Sequence, residues 1–139
     1  MTAASENRNT PETQGRAYLG RFTVKDAEHL YAGAMVALNT STSEVEPAAD
    51  AANLIVLGRA AEEVDNAADG EEILVEQGIF RYANSGSNAL ARSDIGDVCY
   101  VEDDLTVGSS GGSNDVKAGL VYDVDANGVW VIQTAATSR

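Results

Sequence analysis

From residue 18 onward, apolar residues fall in short runs broken by turn residues at fairly regular spacing. Within the runs they tend to alternate with polar residues, the period of a half-buried strand. The runs predict strands over Tyr18–Val24, Ala34–Leu38, Asn53–Gly58, Glu72–Gln77, Ile79–Tyr82, Asp97–Val101, Gly119–Asp123 and Val129–Gln133. Val, Ile, Tyr and Phe dominate them, side chains that suit a pleated surface. Between them lie Asp69-Gly70, Asn84-Ser85-Gly86-Ser87-Asn88, the Gly108–Asp115 stretch and Asn127-Gly128. Asn127-Gly128 between two alternating runs is the sharpest hairpin signal in the chain. The apolar run Val129–Ile132 that follows places Trp130 in the core. Helical pattern is confined to a turn or two at Pro47–Asn53 and one at Val24–Leu30. Eight short strands in about 120 residues predict a mostly β fold, either a small antiparallel barrel or a jelly-roll-like sandwich.

Residues 1–17 break this pattern. They contain no Val, Ile, Leu or Phe. Such a segment cannot bury a core and is expected to be a flexible or extended arm on a single domain over residues 18–139. Its charge also differs. Residues 1–25 carry Arg8, Arg16, Arg21 and Lys25 against Glu6 and Glu12, a net of +2, whereas residues 26–139 carry a net of −15. A basic arm on an acidic body suggests docking on an acidic surface, a neighbouring copy or another protein, through Arg8, Arg16, Arg21 and Lys25.

The overall charge of −13 excludes broad binding to nucleic acid and docking on an anionic membrane, since both would repel it. The longest run free of charged or strongly polar residues, Leu30–Leu38, is too short to span a bilayer, and no targeting signal is expected. Val, Ile, Leu and Phe make up 30 of 139 residues, and 22 more are Ala, so the core is lean. A lean core favours a domain stabilised by partners or by its own oligomer. One cysteine, Cys99, permits neither an internal disulfide nor a multi-cysteine metal site.

Four motifs carry a hint of chemistry. Asp123-Val124-Asp125-Ala126-Asn127-Gly128 matches the opening of an EF-hand loop, but Thr134 stands where the bidentate Glu belongs and the flanks read as strands. It is expected to be an acidic hairpin turn. Gly108-Ser109-Ser110-Gly111-Gly112 fits a nucleophile elbow formally, yet no helix follows, and the chain's one histidine, His29, precedes the serine. It reads as a flexible Gly/Ser loop. Cys99, inside Val98-Cys99-Tyr100-Val101, has no basic neighbour to activate it and reads as a small hydrophobe. Glu102-Asp103-Asp104 reads as a solvated strand end. No catalytic, cofactor or metal site is expected.

The order of several short segments adds a further reading. They are Ala32-Gly33-Ala34-Met35-Val36, Leu57-Gly58-Arg59-Ala60, Ala68-Asp69-Gly70-Glu71 and Val75-Glu76-Gln77-Gly78-Ile79-Phe80. Ile95-Gly96-Asp97-Val98-Cys99-Tyr100-Val101, Ala118-Gly119-Leu120-Val121 and Val129-Trp130-Val131 complete the set. In this order and spacing, over roughly residues 24–133, the chain resembles the small capsid decoration, or cement, proteins of tailed bacteriophages. The resemblance implies a β-barrel or jelly-roll-like body on the outside of a virion, bound to the major capsid protein, with no enzymatic activity. It also implies assembly in the host cytoplasm. Copies of the protein itself, as dimers or trimers, would be further partners. The competing class is a small β-sandwich binding module for carbohydrate or adhesion. Such sites usually present aromatic platforms, and the chain has one Trp and five Tyr.

Overall fold

The computed structural model describes residues 17–67, 70–134 and 137. They form strands β1 (Ala17–Thr23), β2 (His29–Leu30), β3 (Met35–Asn39), β4 (Val45–Pro47), β5 (Leu54–Ala60) and β6 (Val64–Asp65). Then follow β7 (Glu72–Asn84), β8 (Val98–Asp103), β9 (Thr106–Gly108), β10 (Lys117–Asp125) and β11 (Gly128–Gln133). One 3-10 turn, Arg92–Asp94, precedes β8.

The 13-residue β7 organises the molecule. Its C-terminal half closes a five-stranded barrel in the order β7-β11-β10-β8-β9 and back to β7. The closing contact is parallel, Ala83 opposite Thr106 and Asn84 opposite Val107, and the other four are antiparallel. Closure removes the open edges that a flat sheet of this size would expose. The N-terminal half of β7 carries a second sheet, with β1 on one side and β5, β3 and β4 in turn on the other. Strands β2 and β6 pair as a separate two-stranded ribbon.

Two cores result, because the two faces of β7 are buried in different halves. Phe80 and Tyr82 point into the barrel with Cys99, Val101, Val121 and Val131. Ile73 and Val75, on the opposite face, join Val24, Leu30, Val36 and Val45. Strands β3 and β5 lie between the cores: Met35, Ala37 and Val56 belong to the barrel side, Val36 and Leu57 to the other. A sheet covered on both faces needs apolar residues at consecutive positions, which is why these strands read as unbroken runs. Val36 sits opposite Gly58 and Ala37 opposite Val56, so Leu57 is the extra residue of a bulge.

Buried polar groups in both halves are paired. In the barrel the Tyr82 hydroxyl donates to Gln133 Oε1 at 2.6 Å, and Gln133 Nε2 donates to the Ala118 carbonyl at 3.0 Å. Burial pushes the Tyr82 phenol well above its ordinary pKa. Asn66, fully buried, donates to the Val24 carbonyl at 2.9 Å and accepts from the Glu71 N–H at 3.0 Å, tying the turn after β1 to the body.

The mostly β reading holds, with a barrel plus an added sheet as its form. Several finer expectations do not. Glu72–Gln77 and Ile79–Tyr82 are one strand that runs through Gly78, which pairs with Gln133. Pro47–Asn53 and Val24–Leu30 are not helical: Pro47 ends β4, and β2 lies within the second stretch. Trp130 lies outside the core. Val129 and Val131 on either side fill the barrel interior, and strand alternation turns Trp130 outward. Its ring rests under Arg81, 5.6 Å from guanidinium carbon to ring centre, and its indole N–H donates to Asp125 Oδ2 at 3.2 Å.

Cys99 is fully buried in the barrel, with its Sγ 3.6 Å from the Gly119 carbonyl, and burial pushes the thiol up to about 12. A disulfide reagent at pH 8 is therefore expected to label it only as fast as the barrel opens, at a rate that denaturant accelerates. Immediate labelling of the native protein would contradict this packing.

Candidate functional site

The four cations read as partner-binding fall on two sides of a boundary. Arg8 and Arg16 lie outside the described residues. Arg21 projects from β1, and Lys25 follows that strand in the turn clasped by Asn66, which accepts the Ala27 N–H at its own carbonyl and donates to the Lys25 carbonyl. Both described cations meet carboxylates of the same chain. Arg21 Nη1 is 3.2 Å from Glu62 Oε1, and Lys25 Nζ is 3.8 Å from Glu46 Oε2. The Arg21–Glu62 pair is largely exposed and contributes about 0–1 kcal/mol, whereas Lys25 reaches from solvent to a mostly buried Glu46. The Arg21 pair remains open to exchange for a carboxylate of a partner.

The backbone around them is more distinctive than the charges. Among the described residues, β1 pairs with β7 alone, from Ala17 opposite Gln77 to Thr23 opposite Glu72. It is an edge strand, and it continues directly from residues 1–16. Leu19 and Phe22 pack on the second core, while Tyr18 is 57 % exposed. An edge strand anchored on one side presents alternate N–H and C=O groups to another chain on its free side.

The Gly/Ser stretch after β9 is held in place. The Asp50 carboxylate, before β5, accepts the Ser113 and Asn114 backbone N–H groups at 2.9 Å each. Gly112 lies so close that a Cβ there would fall 2.0 Å from Asp50 Oδ2. A polar pocket of about 140 Å³ opens between this loop and the end of the barrel, lined by Asp50, Ser85, Asn88, Glu102 and Ser110 among others. The Ser85 hydroxyl donates to Glu102 Oε1 at 3.1 Å and accepts the Asn88 N–H at 3.1 Å, so it serves the loop rather than a reaction. Sequence reading missed Asp50, because its partners lie more than sixty residues away.

The hydrogen bond from the Asn114 backbone, joined by that from Ser113, holds the Asp50 carboxyl below its ordinary 3.8. A carboxyl with a depressed folded-state value contributes stability that is fully present above its unfolded value. That contribution is lost as pH falls through the folded value. The Ser113 and Asn114 amide resonances are thus expected to stay constant above pH 4–5 and to move only in stronger acid. Asp50→Asn should abolish that transition; an unchanged transition in the variant would show that another group grips the loop.

The remaining motifs resolve into structure. Asp123–Gly128 covers the end of β10, the Ala126-Asn127 turn and the start of β11, with Asp125 Oδ1 accepting the Asn127 N–H at 2.7 Å. Asp123 Oδ1 lies 3.3 Å from Arg92 Nε. Asp103 Oδ1 accepts the Leu105 N–H in the tight turn from β8 to β9, and desolvation, with the Asp103 charge, raises Asp104 above the ordinary carboxylate range. His29 lies on the β2–β6 ribbon, 2.8 Å from Glu63 Oε1 and stacked on Tyr31 at 4.1 Å. No group of three or more His, Cys, Asp or Glu side chains with metal-binding geometry occurs among the described residues. No helix among them is long and apolar enough to cross a membrane.

Comparison with family models, with curated proteins and with solved structures gives no match for this chain.

Proposed function

We propose that this protein is a structural component of a virion, one that binds the outside of a bacteriophage capsid and cements the shell of major capsid protein. The observation that carries the reading is the edge strand β1. It is anchored by β7 on one side, and it continues from a polar segment bearing Arg8 and Arg16 on an otherwise acidic protein. Strand addition at such an edge supplies affinity through backbone hydrogen bonds, with charge guiding the approach. An arm of 16 residues reaches about 55 Å when extended, enough to cross a neighbouring subunit. The resemblance of residues 24–133 to capsid decoration proteins points the same way. The shell's major capsid protein and further copies of this chain are the partners in this reading, with assembly in the host cytoplasm. No catalytic step is assigned to it. A carbohydrate-binding module is less well supported, since Arg81 lies over the Trp130 ring that would serve as a platform.

Co-sedimentation with shells of the major capsid protein tests the proposal. The intact protein should pellet with them at saturable stoichiometry. Removing residues 1–16, which spares the Ala17–Gln77 pairing, should leave the circular dichroism of the body unchanged. It should weaken shell binding by about tenfold or more, equivalent to at least about 1.4 kcal/mol. Arg8→Glu with Arg16→Glu should weaken it less, and mainly at low salt. Full decoration by the truncated protein would remove the arm from the mechanism. Failure of the intact protein to pellet, with binding to a glycan array instead, would overturn the proposal.

A further inference from the structure

The turn that joins β10 to β11 holds a reactive pair of residues. Of the nine asparagines in the chain, Asn127 alone precedes a glycine. With no Cβ on the following residue, the next backbone nitrogen reaches an asparagine's side-chain carbonyl carbon with little steric hindrance. The Gly128 nitrogen would lose its proton to water or hydroxide and attack Asn127 Cγ. A C–N bond forms, the Cγ–Nδ2 bond breaks, and Nδ2 leaves as ammonia. Water then opens the resulting succinimide to aspartate or isoaspartate. Asn127 is exposed, and its side-chain amide makes no hydrogen bond among the described residues, so the electrophile is free to turn.

The nucleophile is restrained instead. Asp125 Oδ1 accepts the Asn127 N–H at 2.7 Å, and the Gly128 N–H is turned to the same carboxylate. The Trp130 indole N–H donates to Oδ2 at 3.2 Å and fixes the carboxylate in this orientation. These donors, Asn127 first, hold the Asp125 carboxyl below its ordinary 3.8, so it is ionised at neutral pH. An ionised acceptor favours the neutral Gly128 amide and opposes the anion that must attack. The backbone is fixed as well. Asp125 pairs with Gly128 to close the hairpin, and Gly128 is buried at a φ of +147°. A Cβ there would fall 2.3 Å from the Tyr82 carbonyl oxygen, so this point of the chain is packed against β7. Swinging the Gly128 nitrogen toward Asn127 Cγ would lift the start of β11 off both neighbours.

We infer that Asn127-Gly128 is a latent deamidation site, and that Asp125, oriented by Trp130, holds it shut in the folded protein. The consequence of opening lies in the barrel. Isoaspartate would route the main chain through the former side chain and lengthen the turn. The strand that follows seats Val129 and Val131 in the barrel interior, and a shift of its register would remove them from it. Attachment to a shell plays no part in this inference, and the pure full-length protein suffices to test it.

Peptide mass spectrometry can follow Asn127 during incubation at mildly alkaline pH, in buffer and in urea. The folded wild-type protein should lose Asn127 at least about tenfold more slowly than the chain in urea, because the reaction waits for local opening. Asp125→Ala should raise the folded rate by about fivefold or more and leave the rate in urea unchanged, with circular dichroism confirming the fold. Where Asp125→Ala does not fold, Trp130→Phe decides: it keeps an aromatic ring but removes the indole N–H, and it should also speed the loss in the folded protein. Equal rates for the folded and the urea-unfolded wild type would overturn the inference. So would a folded Asp125→Ala protein, or in its place a folded Trp130→Phe protein, that deamidates no faster than wild type.

Discussion

Gly58→Ala is expected to destabilise the protein by about 4 kcal/mol. Gly58 lies in β5 at a φ of +157°, where the sheet crosses β7. A Cβ built there falls 2.2 Å from the Glu76 carbonyl oxygen and 3.4 Å from Val75 Cγ1. The first neighbour is backbone, and the adjacent ladder contacts, Arg59 opposite Glu76 and Ala60 opposite Val75, keep it from moving away. Two costs therefore add: about 1–3 kcal/mol for an L side chain at this φ and about 1–3 kcal/mol for overpacking. A domain of this size has about 5–15 kcal/mol to lose, so the effect is a large fraction of the whole. Urea unfolding should show a lower midpoint with an unchanged slope. Gly86→Ala, where a Cβ meets nothing within 4 Å, should stay within about 0.5 kcal/mol of wild type. Comparable midpoints for the two variants would mean that β5 and β7 do not approach as described.

That junction also shows what a sequence of this kind reveals and what it hides. Runs such as Leu54–Gly58 and Val129–Gln133 were legible because alternation and β-branched content are local properties. Strands of two or three residues, such as Val45–Pro47 and Val64–Asp65, carry no period and left no signal. Gly78 read as a break because glycine weakens strands, yet here it passes through the ladder where β7 leaves one sheet for the other. Trp130 was placed inside because a tryptophan in an apolar run usually is. The alternation Val129, Trp130, Val131 already held the opposite answer, had the period been weighed above hydrophobicity. The candidate attachment edge was half visible. The polar, basic N-terminal segment was evident, but that Ala17–Thr23 would lie at an edge depends on closure of the barrel behind it, a long-range property. Asp50 looked like one residue of an alanine-rich turn, and only the fold brings the Gly/Ser loop to it.

Arg59→Met is expected to cost about 3 kcal/mol, and the combined Arg59→Met, Glu76→Leu change distinctly less. The Glu76 carboxylate is 2 % exposed, on the face of β7 that turns toward the barrel. Arg59 donates its Nε–H to Glu76 Oε1 at 2.7 Å, and its guanidinium carbon lies 4.0 Å above the centre of the Phe80 ring. Arginine suits this place because its planar cation stacks on the ring while its N–H groups face the carboxylate. Removing the guanidinium leaves a carboxylate where water is excluded, and that desolvation makes the single change severe. Removing both charges takes away the attraction and the desolvation cost together, so two apolar side chains of similar length should restore much of the loss. The pair's larger contribution is to register. Arg59–Glu76 is one of the two residue pairs in the β5–β7 ladder, the seam by which β5, β3 and β4 hang on β7. A slip of one residue there would turn Glu76 into the core of Ile73 and Val75 and take both of them out of it. Melting temperature and urea midpoints for the two single changes and the double give the coupling directly. A coupling near zero, with Arg59→Met as stable as wild type, would mean that the seam is set by Gly58 and the Leu57 bulge alone.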